Sequence, residues 1–264
     1  MIKFCPLFSS SSGNSVYIGE NNNGILIDVG RSAKQTREML CKIGVEENAI
    51  KAVFLTHEHS DHIQGLSVFL KRNNIPVYAS AGTLLSLRQK GVLTECHKDF
   101  TLDDSGFEIN GMFINPFKTS HDCADGRGYT VTGSDGVSKV AVATDTGIVT
   151  PEIINKIKGC NLVYIESNHD VNMLKNGDYH YELKKRILSD KGHLSNDACA
   201  EVLRALVNKG TTQFVLAHLS EENNTPHLAY NTSINALLEM GALVNRDFQL
   251  RVAEPENQNK PILV

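Results

Sequence analysis

The sequence predicts an α+β fold in which two β-sheets pack face to face with helices on their outer sides, a four-layer αββα sandwich. Two observations favour this fold. Short strand-like runs fill the first part of the chain and recur in its middle, and helical patterns follow both stretches. The length of 264 residues suits a single domain. The strand and helix patterns alone leave a doubly wound sheet open as an alternative.

The first part of the chain contains short apolar or alternating runs bounded by Ser, Asn and Gly turns, the pattern of strands. The predicted strands are Ile2–Phe8, Ser15–Gly19, Gly24–Val29, Ala52–Leu55 and Val77–Ala79. A hairpin turn is predicted at Asn21–Gly24. Apolar residues at helical spacing predict helices over Ser32–Ile43, with Ser32 as N-cap, Leu66–Leu70 and Thr83–Gln89.

The rest of the chain returns to strands and then alternates between strands and helices. The predicted strands are Phe107–Ile109, Met112–Phe117, Tyr129–Thr132, Lys139–Thr144, Leu162–Ile165, Phe214–Ala217 and, as the last strand, Phe248–Val252. The predicted helices are Pro151–Ile157, Leu183–Leu188, Asn196–Val207 and Pro226–Met240. The polar segment Glu254–Lys260 is expected to be a mobile or loosely packed tail.

The composition indicates an ordinary globular protein, with 41% apolar residues, 21% charged residues and a net charge of −4. This charge does not by itself indicate a nucleic-acid-binding protein, although it permits a local basic patch. The N-terminal residues lack the basic start and long apolar run of an export signal, and no apolar run predicts a membrane span. The six scattered cysteines form no C-x-x-C pair, so they are expected to be reduced thiols in a cytoplasmic protein rather than metal ligands.

The densest group of potential metal ligands lies directly after the predicted strand Ala52–Leu55. The sequence there is Thr-His-Glu-His-Ser-Asp-His, and its candidate ligands are His57, His59, Asp61 and His62. Three imidazoles and one carboxylate within six residues suit Zn, Mn or Fe rather than Ca. The spacing places His57 and His59 on one side of a loop. Asp61 and His62 can then face a second position nearby. A polar surface cluster is the alternative, and the position after an apolar strand disfavours it.

Three further candidate ligands each follow a strand-like run. They are His121 in Thr-Ser-His-Asp, Asp145 in Ala-Thr-Asp-Thr-Gly and His218 in Leu-Ala-His-Leu-Ser. These motifs, in this order, resemble those of the metallo-β-lactamase-fold hydrolases, which implies the αββα sandwich and a two-metal site between its sheets. The resemblance assigns His57, His59 and His121 to one ion, Asp61, His62 and His218 to the other, and Asp145 to both. A carboxylate has two oxygens, so Asp145 is chemically able to bind two cations.

Two more residues have a context typical of catalysis. Glu166 follows the predicted strand Leu162–Ile165, and His193 lies in Gly-His-Leu-Ser before a predicted helix that Ser195 or Asn196 would cap. The phosphodiesterase branches of the family have similar elements, which implies that Glu166 orients His193. An imidazole held in this way is a suitable general acid near neutral pH. A purely structural His193 and an ordinary salt bridge of Glu166 are the alternatives.

Longer runs resemble the YycJ/WalJ-like subgroup of the family. They are Ser-Ser-x-Gly-Asn-Ser near the N-terminus, Glu-x-Asn-His-Asp from Glu166, Met-Leu-Lys-Asn-Gly from Met173 and the run from Arg186 to Asn196. This resemblance implies a nuclease with 5′ to 3′ exonuclease activity on double-stranded DNA, so a nucleic acid is the expected partner and DNA is favoured. The residues expected to bind substrate are Ser11, Ser12, Asn14, Asn168, His169, Arg186 and Ser195. A mobile polar turn at the serines and a solvated helix face at Arg186 are the alternatives.

The expected reaction is phosphodiester hydrolysis with two divalent ions. The ions lower the pKa of a bound water, the resulting hydroxide attacks phosphorus, and His193 protonates the leaving oxygen. Asp61 is included with His193 and Glu166 among the catalytic residues.

Other hydrolase activities remain as alternatives. An RNase or a small-molecule or cyclic phosphodiesterase stays open, although the segment between Asp145 and His193 is too short for the large inserted domain of β-CASP nucleases. A lactam or thioester hydrolase is less expected, because no signal peptide is present and the Gly-His-Leu-Ser element is atypical of thioesterases. An inactive binding module would require missing ligands, and none is missing.

Overall fold

The computed structural model describes all residues from Met1 to Val264 and contains two mixed sheets of seven strands each. One buried apolar cluster draws side chains from both sheets, so the sheets pack face to face. Two further clusters join the outer face of each sheet to helices. The predicted αββα sandwich is therefore confirmed, and the doubly wound single sheet is excluded.

The first sheet contains the N-terminal strands and a short strand from the end of the chain. Its strands are β1 (Lys3–Ser10), β2 (Gly13–Glu20), β3 (Asn23–Ile27), β4 (Ile50–Phe54), β5 (Val77–Ala79), β6 (Asp99–Thr101) and β14 (Ile262–Leu263), in the order β14-β1-β2-β3-β4-β5-β6. Neighbouring strands from β3 to β6 are parallel, and the others are antiparallel. The helices of this half are α1 (Ala33–Lys42), α2 (Ser60–Ile63), α3 (Leu66–Asn73) and α4 (Ala81–Gln89), with a 3-10 turn at Glu47–Ala49.

The second sheet is built from the rest of the chain. Its strands are β7 (Phe107–Ile109), β8 (Met112–Lys118), β9 (Arg127–Thr132), β10 (Lys139–Ala143), β11 (Leu162–Glu166), β12 (Gln213–Ala217) and β13 (Gln249–Val252), in the order β13-β12-β11-β10-β9-β8-β7. Strands β10 to β13 are parallel, and β7 to β10 are antiparallel. The remaining helices are α5 (Pro151–Ile157), α6 (Val171–Asn176), α7 (Tyr181–Ile187), α8 (Asn196–Val207) and α9 (Pro226–Glu239), and no helix is long and apolar enough to cross a membrane.

Aromatic side chains connect the two sheets. The ring of Phe54 on β4 lies 5.7 Å from that of Tyr129 on β9, and the ring of Phe4 on β1 lies 5.6 Å from that of Tyr164 on β11. All four side chains are buried. The apolar contact of large rings stabilises the sandwich and fixes the distance between the sheets.

Several local predictions are confirmed by the structure. Ser32 caps α1, since its side chain accepts a hydrogen bond from Gln35 N. The hairpin between β2 and β3 has a two-residue turn in which Asn21 adopts a φ of 51°, a conformation that Asn tolerates well. The bounds of α5 and α8 agree with the predictions.

The prediction that β13 is the last strand is wrong, because β14 pairs with β1. Strand β6 and the short helices α2 and α6 were also not predicted. These elements have two to six residues, too few to show a periodic pattern. Their position is decided by the neighbours that they contact.

The polar segment before β14 is mostly exposed, as expected of a tail, but it is anchored at several residues: Ser9 N donates to Pro255 O at 3.3 Å, and Lys42 Nζ donates to Gln258 Oε1 at 2.7 Å. Asn257 is buried, its backbone N–H donates to Leu7 O at 3.1 Å, and Lys42 Nζ donates to Asn257 O at 3.0 Å. The segment is therefore attached to β1 and α1 from Pro255 to Gln258 rather than loosely packed.

Candidate metal centre

The seven predicted ligands come together where strands of both sheets end. Strand β4 leads into the loop with His57, β10 ends before Asp145, and β12 ends before His218. Four sets have ligand atoms within 4.8 Å of one another: His57, His59 and His121; Asp61, His62 and His218; His57, His62 and Asp145; and a set in which Asp145 and His218 are joined by Glu166 and His193. Residues far apart in the sequence thus form two adjacent ligand sets.

Asp145 lies between the two sets and faces each with a different oxygen. Its Oδ1 is 3.9 Å from His121 Nε2. Its Oδ2 is 3.3 Å from both His62 Nε2 and His218 Nδ1. This arrangement suits a carboxylate that contacts two cations at once.

Buried atoms without hydrogen-bond partners indicate what the cluster is able to hold. His57 Nε2, Asp145 Oδ2 and His218 Nδ1 are buried and make no hydrogen bond. Buried polar atoms are normally hydrogen-bonded or coordinated to an ion, since an unpaired one is costly. The donor set is imidazole and carboxylate, which divalent metals prefer. The residues therefore fit divalent cations.

The charges of the centre favour a cation as well. Burial on its own would lower the pKa of His62, but Asp145, Asp61 and Asp28 raise that pKa well above its usual value. Burial also disfavours the charged form of His218, yet Asp145 raises its pKa to about 9. The carboxylates thus attract positive charge to the centre, and either a proton or a metal ion supplies it.

Three residues of the centre adopt left-handed backbone conformations. The φ angles are 63° at Asp28, 55° at Asp145 and 52° at His218. Non-glycine residues seldom adopt this region unless their surroundings hold them there. At His218, Ser9 Oγ accepts a hydrogen bond from the backbone N–H at 3.0 Å, and Asn168 Nδ2 donates to the carbonyl at 2.9 Å. The backbone of this candidate ligand is therefore fixed on both sides.

Asp28 is a residue of the centre that the sequence reasoning missed. Its Oδ2 accepts a hydrogen bond from His62 Nδ1 at 2.7 Å, and its Oδ1 accepts one from Thr56 N at 2.8 Å. With Nδ1 protonated, Nε2 of His62 faces Asp61 and Asp145, each at 3.3 Å. Asp28 therefore sets the tautomer that a metal ligand needs. A carboxylate directly after a buried strand was the signal that could have identified it.

We expect Asp28→Asn to lower metal affinity by about 10- to 100-fold, the usual effect of losing the partner of a ligating histidine. The amide has the size of the carboxylate but not its charge, so it holds the His62 N–H less firmly. Competition with a chelator measures the affinity. The exposed Asp178 provides the matched control Asp178→Asn, which should bind metal normally, and unchanged affinity in Asp28→Asn would contradict the role of Asp28.

Glu166 and His193 form a hydrogen-bonded pair beside the ligand sets. His193 Nδ1 donates to Glu166 Oε1 at 2.6 Å, while Glu166 Oε2 accepts from Thr146 N at 2.9 Å and Leu194 N at 3.3 Å. The His193 ring lies 5.3 Å from that of His218, and its side chain is 19% exposed. Glu166 is thus fixed, and the Nε2 side of His193 is left for another partner.

Comparison with known proteins decides the family. The sequence profile of the Beta-lactamase superfamily domain matches residues 23–219. The chain belongs to this superfamily.

Individual superfamily members agree with this membership over nearly the whole chain. The chain is 34% identical over 261 residues to the exodeoxyribonuclease YycJ of Bacillus anthracis, covering 98% of each protein. It is 33% identical over 257 residues to the exodeoxyribonuclease WalJ of Streptococcus pneumoniae, covering 96% of this chain and 95% of that protein. The predicted YycJ/WalJ-like character is therefore confirmed.

A solved structure of the superfamily supports the fold. The metallo-β-lactamase fold protein YhfI from Bacillus subtilis superposes with a TM-score of 0.75 and covers 97% of this chain and 98% of its own. The two sequences are 15% identical, so this similarity concerns the fold alone.

The polar residues predicted to bind substrate in this superfamily member make contacts within the protein. Asn14 is buried, and its Nδ2 lies 3.1 Å from Asp61 Oδ2 and 3.2 Å from His62 Nε2, inside the metal centre. Asn168 is buried and holds the His218 carbonyl. Ser195 caps α8, since its side chain accepts a hydrogen bond from Ala198 N. These contacts are structural, and a role in substrate binding stays a prediction.

The other predicted substrate-binding residues differ in accessibility. The Ser12 hydroxyl donates to Glu221 and accepts from Arg31, whereas Ser11 is exposed. His169 is buried, burial lowers its pKa to about 4, and neither ring nitrogen is hydrogen-bonded. It is therefore neutral and distant from solvent.

Arg186 is half-exposed on α7 and forms an ion pair with Asp122 rather than standing free. Asp122 Oδ1 lies 3.4 Å from His121 Nε2. The guanidinium thus connects α7 to the segment that contains His121. A phosphate would have to compete with the Asp122 carboxylate for this cation.

Proposed function

We propose that the chain is a cytoplasmic two-metal nuclease that hydrolyses phosphodiester bonds of DNA. The observation that carries the proposal is the position of Asp145, which directs one oxygen toward each ligand set, beside the Glu166–His193 pair. A pair of metals with a nearby proton donor is a suitable arrangement for phosphodiester cleavage. The names of the two exodeoxyribonuclease relatives support a DNA substrate.

Two divalent ions, Zn, Mn or Fe, suit the proposed ligands. One would be held by His57, His59 and His121, the other by Asp61, His62 and His218, and Asp145 would contact both. Bound there, such ions supply Lewis-acid chemistry, which activates water and offsets negative charge on phosphoryl oxygens. Asp28 and the Gly192 carbonyl, which accepts from His121 Nδ1 at 3.0 Å, orient two of the imidazoles.

His193 is the proton donor in this proposal. Burial alone would lower its pKa, but the charge of Glu166 and the hydrogen bond to it raise the pKa above the usual value. The imidazole is therefore protonated at Nδ1 toward Glu166 and can carry a second proton on Nε2 near neutral pH. It delivers that proton to the leaving oxygen, which otherwise departs as an unstable alkoxide.

Three substrates test the function. Metal-reconstituted protein is incubated with duplex DNA labelled at either the 5′ or the 3′ end, with single-stranded RNA and with bis(p-nitrophenyl) phosphate. We expect duplex DNA to lose its label as a mononucleotide at the earliest times, as a 5′ to 3′ exonuclease would produce, while a 3′ label is released late. Cleavage of the small ester alone would contradict a nuclease, and cleavage of RNA alone would contradict a DNA substrate.

A further inference from the structure

A cavity of about 450 Å³ opens beside the candidate metal centre, on the side of Asp61. One wall is the turn between β1 and β2, with Ser11 and Ser12. The α2–α3 segment contributes Ser60, Ile63, Gln64 and Ser67 to the lining. Because Asp61 belongs both to the ligand set and to the cavity wall, a ligand at the centre would extend directly into this space.

The lining of the cavity is polar but carries no positive charge. It consists of four serine or glutamine side chains without a hydrogen bond inside the protein, the hydrogen-bonded Ser12, the carboxylate of Asp61 and two apolar residues. The Ser12 hydroxyl is engaged by Glu221 and Arg31, whereas Ser60, Gln64 and Ser67 have no side-chain hydrogen bond within the chain and are available to a ligand. No Lys or Arg lines the space, so its chemistry does not suit a phosphate group.

The same lining does suit a nucleoside. Hydroxyl and amide groups both donate and accept hydrogen bonds, as the edges of nucleobases and the hydroxyls of sugars require. Ile63 and Val92 provide apolar surface for the face of a ring. The volume lies within the range of about 300–1,000 Å³ that is common for small-ligand sites.

We infer that this cavity binds the nucleoside adjoining the phosphate that reacts at the metal centre. The inference rests on the proposed function and deepens it, since it says which part of the substrate lies on the Asp61 side. Serine hydroxyls rotate and accept either kind of partner, so the subsite is expected to tolerate all bases with only modest preference.

Equilibrium binding tests the subsite without relying on turnover. The probes are deoxyadenosine 5′-monophosphate and 2-deoxyribose 5-phosphate, which has the sugar and the phosphate but no base, titrated calorimetrically into metal-reconstituted protein. We expect the nucleotide to bind about tenfold more tightly, since about two hydrogen bonds and a ring contact distinguish the ligands. The double variant Gln64→Ala/Ser67→Ala should lose this difference.

The chain offers a control with the same residue types. Ser86 and Gln89 on α4 match Ser67 and Gln64 in exposure and do not line the cavity, so Ser86→Ala/Gln89→Ala should keep the tenfold difference. A second variant, Ser67→Phe, fills the space without removing Gln64. It should weaken nucleotide binding, while the metal content measured by elemental analysis stays that of the parent.

The outcomes separate the subsite from the proposed function. Equal affinity of the unaltered protein for both probes, or a tenfold preference that survives in Gln64→Ala/Ser67→Ala, would overturn the inference. A preference that this variant removes supports the subsite, even if no nucleic acid is cleaved and the proposed function fails. Adenosine 5′-monophosphate is the third probe. If it binds more tightly than the deoxynucleotide, the result supports a nucleoside subsite that accepts RNA rather than DNA.

Discussion

Replacing Asp145 is expected to remove both metal binding and hydrolysis. Its two oxygens face different ligand sets, so one substitution affects both ions. Metals contribute several kcal/mol of charge stabilisation, and each 1.4 kcal/mol is about tenfold in rate, so Asp145→Ala should lower activity by at least ~10³-fold. Elemental analysis of the purified protein measures the metal content for comparison with the rate.

The backbone at Asp145 requires a second variant. The residue has a φ of 55°, which alanine adopts with strain and asparagine tolerates well. Asp145→Asn therefore keeps the local conformation and removes only the charge. It should fold with a melting temperature near that of the metal-free parent and still lack metal and activity. Asp178→Asn is the surface control, and a fully metallated, active Asp145→Asn protein would refute the bridging role.

Replacing His193 is expected to leave the metals in place and to slow the reaction. The imidazole is held by Glu166 and is not among the seven proposed ligands. Removing a general acid lowers the rate by about 10²- to 10⁴-fold. His193→Ala should therefore retain the metal content of the parent but have a strongly reduced kcat on DNA. The exposed His227 provides the control His227→Ala, which should behave as the parent.

The choice of leaving group distinguishes proton donation from a merely structural role. p-Nitrophenolate departs without a proton, whereas a sugar alkoxide needs one. His193→Ala should therefore lose far less activity on bis(p-nitrophenyl) phosphate than on DNA. Equal losses on both substrates would indicate that His193 positions the substrate and does not protonate it, and full activity on DNA would remove it from the mechanism.

A double variant tests whether Glu166 acts through His193. Glu166→Gln removes the charge that raises the pKa of His193, so it should also reduce the rate on DNA with little effect on the small ester. If the two residues act as a pair, the loss in Glu166→Gln/His193→Ala should be close to that in His193→Ala alone. Additive losses would show that they act separately.

The sequence by itself indicated the strands, the helices and the candidate ligands, and the resemblance of its motifs to those of the metallo-β-lactamase-fold hydrolases selected the sandwich over a doubly wound sheet. Strand and helix periodicity depend on local patterns, and the His-x-His-x-Asp-His motif, Asp145 and His218 each follow an apolar strand. Chemical type and position relative to a strand are visible without coordinates. Glu166 was singled out by its position after a strand and His193 by its Gly-His-Leu-Ser context before a helix, while their pairing was implied by the family resemblance; the 2.6 Å hydrogen bond agrees with it.

Only the tertiary structure decided which polar residues contact each other. Asp28 orients His62 across 34 residues of sequence, and Arg186 pairs with Asp122 across 64. The sequence also did not predict the buried position of Asn14 inside the centre or the pairing of β14 with β1. Such contacts depend on how two sheets and their loops pack in space. The position of Asp28 after a strand marks it as a possible site residue, but the linear sequence does not identify His62 as its partner.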